Sequence, residues 1–513
     1  MSDLLIKRAA VSPEKTALLA PEHLDGPLSY AELLEQAREV REQLKKTGIC
    51  EGERVGVVME NRPALVRLFH GALLAECPPV LFHANITAHE LSEQWPAIDA
   101  SVLICSAETE DVAREAVDHV PVMSVDDPQS NDVFHIKESG NCTAHASDVR
   151  TSGDHVILFT SGSTDEPKPV SLTMDQLRAS AFASGTRLGH LPSDVWYDPL
   201  PMHHMGGLAP VLRSTLYGST VLLESFKAEA VPELIEQFDV TCISMVPTMC
   251  SRVMDEGGWS GVAEALRFVL LGGASVPSEL IQQAREINLP VHPTYGLTET
   301  ASQVATATPA ECFEDPTTVG YPLFETEVTI CDEDGTPLEA GEEGVIHVDG
   351  PTVMEGYFQK PLLNDRAFTH HGFRTDDRGY MDQQGRLHVV SGSSDKIVTG
   401  GEKVAPGEVT DVLLNHDRLA DAAVFGIDDT EWGEKVVAIV VPADHDVDED
   451  DLLSSVRARL DERLAPFKHP KEIVISEDVP RTSKGTLRHQ EAEERIRAEQ
   501  DEESTSLDLG EGT

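Results

Sequence analysis

Basic residues are scarce in this chain: 40 lysines and arginines stand against 89 aspartates and glutamates, for a formal net charge of −49 over 513 residues. The acids are spread along the whole sequence and not gathered in one block. Such a surface repels phosphate backbones and anionic headgroups, which argues against nucleic acid or a membrane surface as a partner. Self-repulsion at this density destabilises a fold at low ionic strength and is screened by salt. Together with few aromatics, 5% of the chain, this points to a halophilic host. Long apolar runs are also missing. None approaches the roughly 20 residues that span a bilayer. The opening MSDLLIKRAAVSPEK has neither the apolar core nor the cleavage site of a signal peptide, so a cytoplasmic protein without membrane insertion is expected. The 8 cysteines (Cys50, Cys77, Cys105, Cys142, Cys242, Cys250, Cys312, Cys331) form no CxxC pair. Most sit beside apolar residues and read as small buried hydrophobes, supporting neither a disulfide framework nor a zinc site.

What is present is an alternation of helices and strands. The run Leu28-Ser29-Tyr30-Ala31-Glu32-Leu33 opens a helical pattern reaching Leu44, with Ser29 and Glu32 spaced as a capping box. Arg54 to Met59 reads as a buried parallel strand, Pro63 to Ala75 as a helix and Pro79 to Phe82 as the next strand. Alternating units of this kind imply a parallel sheet covered by helices. Residues from about Asp126 to Asp154 are polar and read as a connector. A further α/β stretch runs from His155 to about Ala307, and from Val319 to His388 short strands alternate with glycine turns. Ser391-Gly392-Ser393-Ser394 reads as a hinge. Beyond it, strands are expected near Ala422–Phe425 and Val436–Val441 and a helix near Asp451–Leu464, before an acidic polar end.

The strongest local signal is Ile157-Leu158-Phe159-Thr160-Ser161-Gly162-Ser163-Thr164-Asp165-Glu166-Pro167-Lys168. An apolar strand runs into a hydroxyl- and glycine-rich loop closed by a lysine. Backbone N–H groups and hydroxyls in such a loop can surround phosphate oxygens, and the lysine supplies positive charge. The Walker spacing is absent, and a Ser/Thr-rich turn by itself is usually only a turn. Three later segments add weight. Leu270-Leu271-Gly272-Gly273-Ala274 ends a strand in two glycines, which lets a flat ligand approach backbone. Pro293-Thr294-Tyr295-Gly296-Leu297-Thr298-Glu299-Thr300 reads as one loop carrying an aromatic, a hydroxyl and a carboxylate. Those groups can stack a base, touch a phosphate and hold Mg²⁺. Arg374-Thr375-Asp376-Asp377 offers a carboxylate pair for ribose hydroxyls. Each segment alone reads more readily as structural.

In order and spacing these segments resemble the adenylate-forming (AMP-binding) superfamily of acyl-CoA synthetases, peptide-synthetase adenylation domains and luciferases. The resemblance runs from about Leu28 to Arg488 and includes Leu200-Pro201-Met202-His203-His204-Met205-Gly206-Gly207, Met354-Glu355-Gly356-Tyr357 and Val424 to Glu434. Ala465 to Lys471 and Val479-Pro480-Arg481-Thr482 complete the set. It implies an α/β fold: a large N-terminal adenylate-forming domain of parallel sheets with helices plus a β-rich subdomain, and a small mobile C-terminal α+β domain. The boundaries expected are 1–391, with the β-rich part at about 319–391, a hinge at 392–395, a lid domain at 396–497 and a disordered acidic tail at 498–513.

Carried over by position, Thr160, Ser161, Gly162, Ser163 and Thr164 with Lys168 would form the phosphate loop. Gly272, Gly273 and Ala274 would line the adenine and acyl pocket, with Tyr295 and Gly296 against the adenine. Thr298 would contact the α-phosphate, Glu299 would ligate Mg²⁺, Asp377 would bind ribose, and His204 would stand near the acyl carboxylate. A packing histidine is the alternative for His204. The implied activity is that of an ATP-dependent carboxylate–CoA ligase. ATP and a carboxylic acid yield acyl-AMP and pyrophosphate, and the CoA thiol then displaces AMP after the lid domain turns. The small-molecule partners are therefore the acid, ATP and CoA, with homo-oligomerisation left open. Tyr295 to Val304, with Ser302 and Gln303 near the acyl pocket, looks most like the o-succinylbenzoate–CoA ligases of menaquinone biosynthesis. Val398-Thr399-Gly400-Gly401-Glu402 fits the same group, with Gly401 among the expected cofactor-binding positions.

The sequence also departs from the family pattern. Asp165 stands where glycine is normal and Pro169 where glycine is frequent. Ser391-Gly392 replaces the hinge Gly-Arg, Ser394 takes the place of the hinge acid, and Asp395 survives as the second acid. Thr486 occupies the position of the adenylating lysine, with Lys484 two residues earlier as the candidate substitute. These losses keep open a nucleotide- or acyl-binding homologue impaired in adenylation, and because no single motif reads the acyl group, another aryl- or fatty-acyl-CoA synthetase is also an alternative. A peptide-synthetase module is disfavoured, because no carrier domain follows.

Overall fold

The structure, a computed structural model, describes residues 4–126, 155–160, 167–390, 396–429, 431–444, 447–481 and 487–497. The expected connector beyond Asp126, the hinge at 392–395 and the acidic tail lie outside the described residues, as do Ser161 to Glu166 and Thr482 to Thr486. The chain forms two compact units. The first comprises Met1–Ala84, Leu91–Thr160 and Lys168–Ser393, and the second Asn85–Glu90, Ser161–Pro167 and Ser394–Thr513.

Local sequence explains the elements of the first unit. The helix Tyr30–Lys46 starts on the capping box between Ser29 and Glu32, and the helix Met174–Leu188 on a second one between Thr173 and Gln176. Proline opens the helix Pro63–Leu74, where its missing N–H is no loss. Val55–Val58, Pro79–Phe82 and Val102–Cys105 are apolar at every position and buried throughout, as strands covered on both faces must be. Among the described residues they lie in a six-stranded sheet ordered Val122–Ser124, Val102–Cys105, Val55–Val58, Pro79–Phe82, His155–Thr160, Lys168–Thr173. All neighbours in it are parallel except the last pair.

A nine-stranded sheet is parallel from Val291–Leu297 through Phe268–Leu271, Cys242–Met245, Val195–Asp198 and Thr220–Leu223 to Thr16–Leu19, with antiparallel strands at both edges. Tyr30 locks the helix Tyr30–Lys46 onto this layer. Its buried hydroxyl lies 2.7 Å from the carbonyl oxygen of Ser214 and 2.6 Å from that of Ser219. The β-rich segment forms a five-stranded antiparallel sheet from Glu327–Cys331, Gly344–Asp349, Phe368–Thr369, Gly372–Met381 and Leu387–Val389.

The second unit is built on the long hairpin of Leu419–Asp429 and Gly433–Pro442. Ile397–Thr399 and Glu402–Val404 extend it on one side, and Glu472–Ile475 adds in parallel to Gly433–Pro442. Both hairpin strands outrun the segments expected from the sequence, because the acidic positions Asp428 and Asp429 pair in register with Glu434 and Gly433. The helix Glu449–Arg463 packs Leu452, Val456 and Leu460 into the core of this unit.

One reading changes. The segment expected as one loop from Pro293 to Thr300 is mostly strand: Val291–Leu297 pairs with Phe268–Leu271 on one side and Ser302–Thr306 on the other. Pairing with strands on both sides overrides the turn-like composition. Cys50 is exposed, whereas Cys77, Cys105, Cys242, Cys250, Cys312 and Cys331 are buried, and all seven are free.

Arg386 ties the β-rich sheet together. Its Nε lies 2.7 Å from Asp382 Oδ2, and its backbone N–H donates to Asp382 Oδ1 at 2.8 Å. Burial pushes the Asp382 carboxyl up, but the Arg386 N–H groups and His388 outweigh it and hold the group down at about 2. The unfolded carboxyl titrates near 4. This stabilisation is therefore complete above about pH 4 and is lost as pH falls through about 2. Asp382→Asn is expected to lower the urea midpoint at neutral pH, with the gap from wild type closing on acidification. A gap that stayed constant over that range would overturn the assignment.

Candidate active site

The antiparallel hairpin His155–Thr160 and Lys168–Thr173 closes with Thr160 opposite Lys168. Lys168 is buried, and its Nζ stands 5.5 Å from the centroid of the Tyr357 ring, a cation–π approach. Thr160 Oγ1 is enclosed without a hydrogen-bond partner among the described residues. A buried orphan hydroxyl opposite a lysine is a setting that suits an anionic ligand oxygen.

Tyr357 connects this hairpin to a second element. Its hydroxyl donates to Glu299 Oε1 at 3.0 Å, its backbone forms an isolated antiparallel bridge with Val170, and Phe358 N donates to Pro169 O at 2.8 Å. Met354 N donates to Glu299 O at 2.8 Å, and Gln176 Nε2 donates to Val353 O at 2.6 Å. Burial, then the Glu299 carboxylate beside it, pushes the Tyr357 phenol well above its ordinary range, so it remains a donor.

Thr298 and Glu299 sit on the short 3₁₀ turn Thr298–Thr300 that follows the strand Val291–Leu297. The turn ends in two non-glycine residues at positive φ, Ala301 at 51° and Ser302 at 105°. Strain of this kind persists only where surrounding structure enforces it, and it gathers at functional sites. Here Ser180 Oγ donates to Ala301 O at 2.6 Å. Gly296 is required by close approach, since a Cβ there would stand 1.9 Å from Ser302 O. Gln303 is buried, with its Nε2 2.7 Å from Thr306 Oγ1.

Two residues upstream of Leu297, Tyr295 donates its hydroxyl to Asp377 Oδ2 at 2.8 Å. Burial, then the Asp377 charge, pushes this phenol well up. Asp377 lies in the strand Gly372–Met381 and follows Asp376, which adopts φ 64°. On the other side of the strand Val291–Leu297, Gly272 leaves the strand Phe268–Leu271. A Cβ on Gly272 would meet Thr294 Cγ2 at 2.8 Å, and Gly273 adopts φ +81°. Ala274 continues that segment.

The first unit thus brings together two sets of expected residues. One is the line Lys168–Tyr357–Glu299, and the other is Tyr295 with Asp377 beside the Gly272-Gly273 step. His204 is the N-cap residue of the helix Met205–Tyr217. Gly401 belongs to the second unit, in the tight Gly400-Gly401 turn between Thr399 and Glu402. Ser161, Gly162, Ser163, Thr164, Lys484 and Thr486 lie outside the described residues. The sequence reading had Tyr357 only as part of a motif and missed Gln176. The Gly-Tyr pair was the available signal for the first; for Gln176 there was only its cap position. No helix of the described residues is long and apolar enough to cross a membrane.

The AMP-binding enzyme family model matches residues 5–358, and the model of the AMP-binding enzyme C-terminal domain matches residues 408–486. A 2-succinylbenzoate–CoA ligase of Bacillus licheniformis is 34% identical over 489 residues, 94% of this chain and 97% of that protein. The o-succinylbenzoate CoA synthetase of Bacillus subtilis has been solved as a double mutant with its product analogue OSB-NCoA. It matches with TM-score 0.84 at 31% identity, over 96% of this chain and 98% of that one. The same synthetase in complex with ATP and magnesium ion matches with TM-score 0.69 at 31% identity, over 94% and 98%. The fold is that of an adenylate-forming enzyme, with a large N-terminal and a small C-terminal domain. The chain belongs to the AMP-binding enzyme family.

Tyr295→Phe removes the donor from the half-buried carboxylate of Asp377. Losing a hydrogen bond to a charged group costs about 1.5 kcal/mol, roughly a tenfold change in a binding constant. Calorimetric titration with AMP is expected to show that loss, and an affinity equal to wild type would refute the coupling.

Proposed function

We propose that the chain converts o-succinylbenzoate, ATP and CoA to o-succinylbenzoyl-CoA, AMP and pyrophosphate in two half-reactions. The observation that carries the reading is the Lys168–Tyr357–Glu299 line beside Tyr295–Asp377, in a chain alike over nearly its full length to 2-succinylbenzoate–CoA ligases. In the first step a carboxylate oxygen of the acid attacks the α-phosphorus of ATP, and the bond to the pyrophosphate oxygen breaks. In the second the CoA sulfur attacks the acyl carbon, AMP leaves, and the thiol proton is released.

The residues present fit the ligands. The orphan hydroxyl of Thr160 and the charge of Lys168 suit phosphate oxygens, and a half-buried carboxylate such as Glu299 suits a hard cation. Magnesium, when bound, would offset the charge of the departing pyrophosphate. Lys168 would orient the phosphates and balance their charge, and Tyr357 would hold Glu299 in one rotamer. Thr298 would meet the α-phosphate, Tyr295 the adenine, Asp377 the ribose, and His204 the carboxylate of the acid. Ser302 and Gln303 would border the acyl pocket.

The acidic surface supports a salt-rich cytoplasm as the setting. The test is therefore CoA-thioester formation from a panel of acids in molar KCl, o-succinylbenzoate among them. Activity with that acid, with Lys168→Ala and Glu299→Ala each slower in adenylation by about 10²-fold or more, is the expected result. Activity with a different acid only would discard the substrate, and wild-type rates in both variants would discard the site.

Thr486 at the place of the adenylating lysine favours a second reading, a homologue impaired in adenylation. If Lys484 substitutes, Lys484→Ala will slow acyl-AMP formation while sparing thioester formation from supplied acyl-AMP. Equal loss in both steps would reject the substitution.

A further inference from the structure

Cysteine spacing offers no zinc site in this chain, but the fold brings His83 to the His203-His204 pair, which is far from it in sequence. His83 follows the buried strand Pro79–Phe82, and His203 and His204 lead into the helix Met205–Tyr217. Each presents one ring nitrogen, and those atoms lie within 4.8 Å of one another. Ring centroids stand 4.3 Å apart for His83–His203, 4.4 Å for His203–His204 and 6.1 Å for His83–His204, with planes inclined by 47°, 60° and 73°.

The turn that carries two of the three is held firmly. Asn61 Nδ2 donates to Leu200 O at 2.6 Å, and Asn61 Oδ1 accepts from Met202 N at 2.8 Å. Gly207 packs so closely that a Cβ would stand 2.2 Å from Leu200 O. His203 is buried while His83 and His204 are half-buried, so an ion can reach the cluster from solvent.

We propose that His83, His203 and His204 bind one divalent transition-metal ion of the zinc type, and that occupation blocks adenylation by holding His204 away from the acyl carboxylate. Three imidazoles with the fourth position left to water is a recurrent zinc arrangement, with Zn–N of about 2.0–2.1 Å. Neutral nitrogen ligands select zinc, copper or nickel over magnesium, so this ion would not compete for the carboxylate of Glu299. The other cluster of metal-ligating type among the described residues is Asp315, Asp382 and His388, and it already holds a cation: Arg386 lies 2.7 Å from Asp382 and 3.6 Å from Asp315. The blocking effect rests on the proposed role of His204; the binding site does not.

The test titrates the full chain with Zn²⁺ against a chromophoric chelator, then with Co²⁺ as a spectroscopic probe, for wild type, His83→Asn and His203→Phe. The expected result is one ion per chain, at least tenfold weaker in both variants, with cobalt d–d bands and no thiolate charge-transfer band. Wild-type affinity in both variants would overturn the site, as would a thiolate band or the lack of stoichiometric binding. The cobalt spectrum of the wild-type protein decides even if a variant folds poorly. Pyrophosphate release in Mg²⁺ is then followed as zinc is added. A fall that tracks occupancy supports the block, and unchanged release at full occupancy overturns the block while leaving the site. Absence of release from the zinc-free enzyme with every acid would instead count against the ligase reading, which the metal titration does not use.

Discussion

The segment Val353–Phe358 is the constraint on which the candidate site depends. Its backbone is pinned at Met354 to Glu299, at Tyr357 to Val170 and at Phe358 to Pro169, and its Val353 carbonyl accepts from Gln176. Lys168 and Glu299 come from different sheets, one from the end of a hairpin and the other from a turn after a strand. The crossing segment touches both, through the ring and the hydroxyl of a single tyrosine. Because Tyr357 is buried and stays protonated, it serves as a fixed spacer between a cation and an anion that would otherwise collapse into an ion pair. A direct Lys168–Glu299 contact would neutralise two charges that the proposed phosphate and metal binding needs apart.

Much of the first unit was legible because its signals are local. Ser29 with Glu32, Pro63, and the continuous apolar runs at Val55–Val58 and Pro79–Phe82 state their own elements. The segment from Pro293 to Leu297 was not legible as strand, because proline, threonine and glycine describe a turn until neighbouring strands are present on both sides. At the site, motif order named Lys168, Glu299, Tyr295 and Asp377, but the pairings among them belong to the tertiary fold. Nothing in spacing ties Tyr295 to Asp377 or His83 to His203, since the first pair meets between strands of different sheets and the second between segments that follow strands of different sheets.

The acidic surface and the buried lysine answer the same problem. A chain with 89 acidic residues must attract a polyanionic nucleotide. Exposed acids are screened by salt within a few ångströms, about 3 Å at molar concentration. Lys168, 7% exposed, is sheltered from that screening and from the acids outside. High salt therefore quiets the repulsive exterior while leaving the internal cation close to full strength.

The pairing of Thr160 with Lys168 also bears on the stretch that joins the two strands. Residues 161–166 lie between two strands whose register is set elsewhere, by six cross-strand partners from His155–Thr173 to Thr160–Lys168. Changes in the length of the connecting stretch can be absorbed without moving the lysine, whereas a one-residue slip within the hairpin would turn it to the opposite face. A longer, shorter or differently charged connection is thus compatible with the same hairpin register, and the two strands alone keep the cation in place.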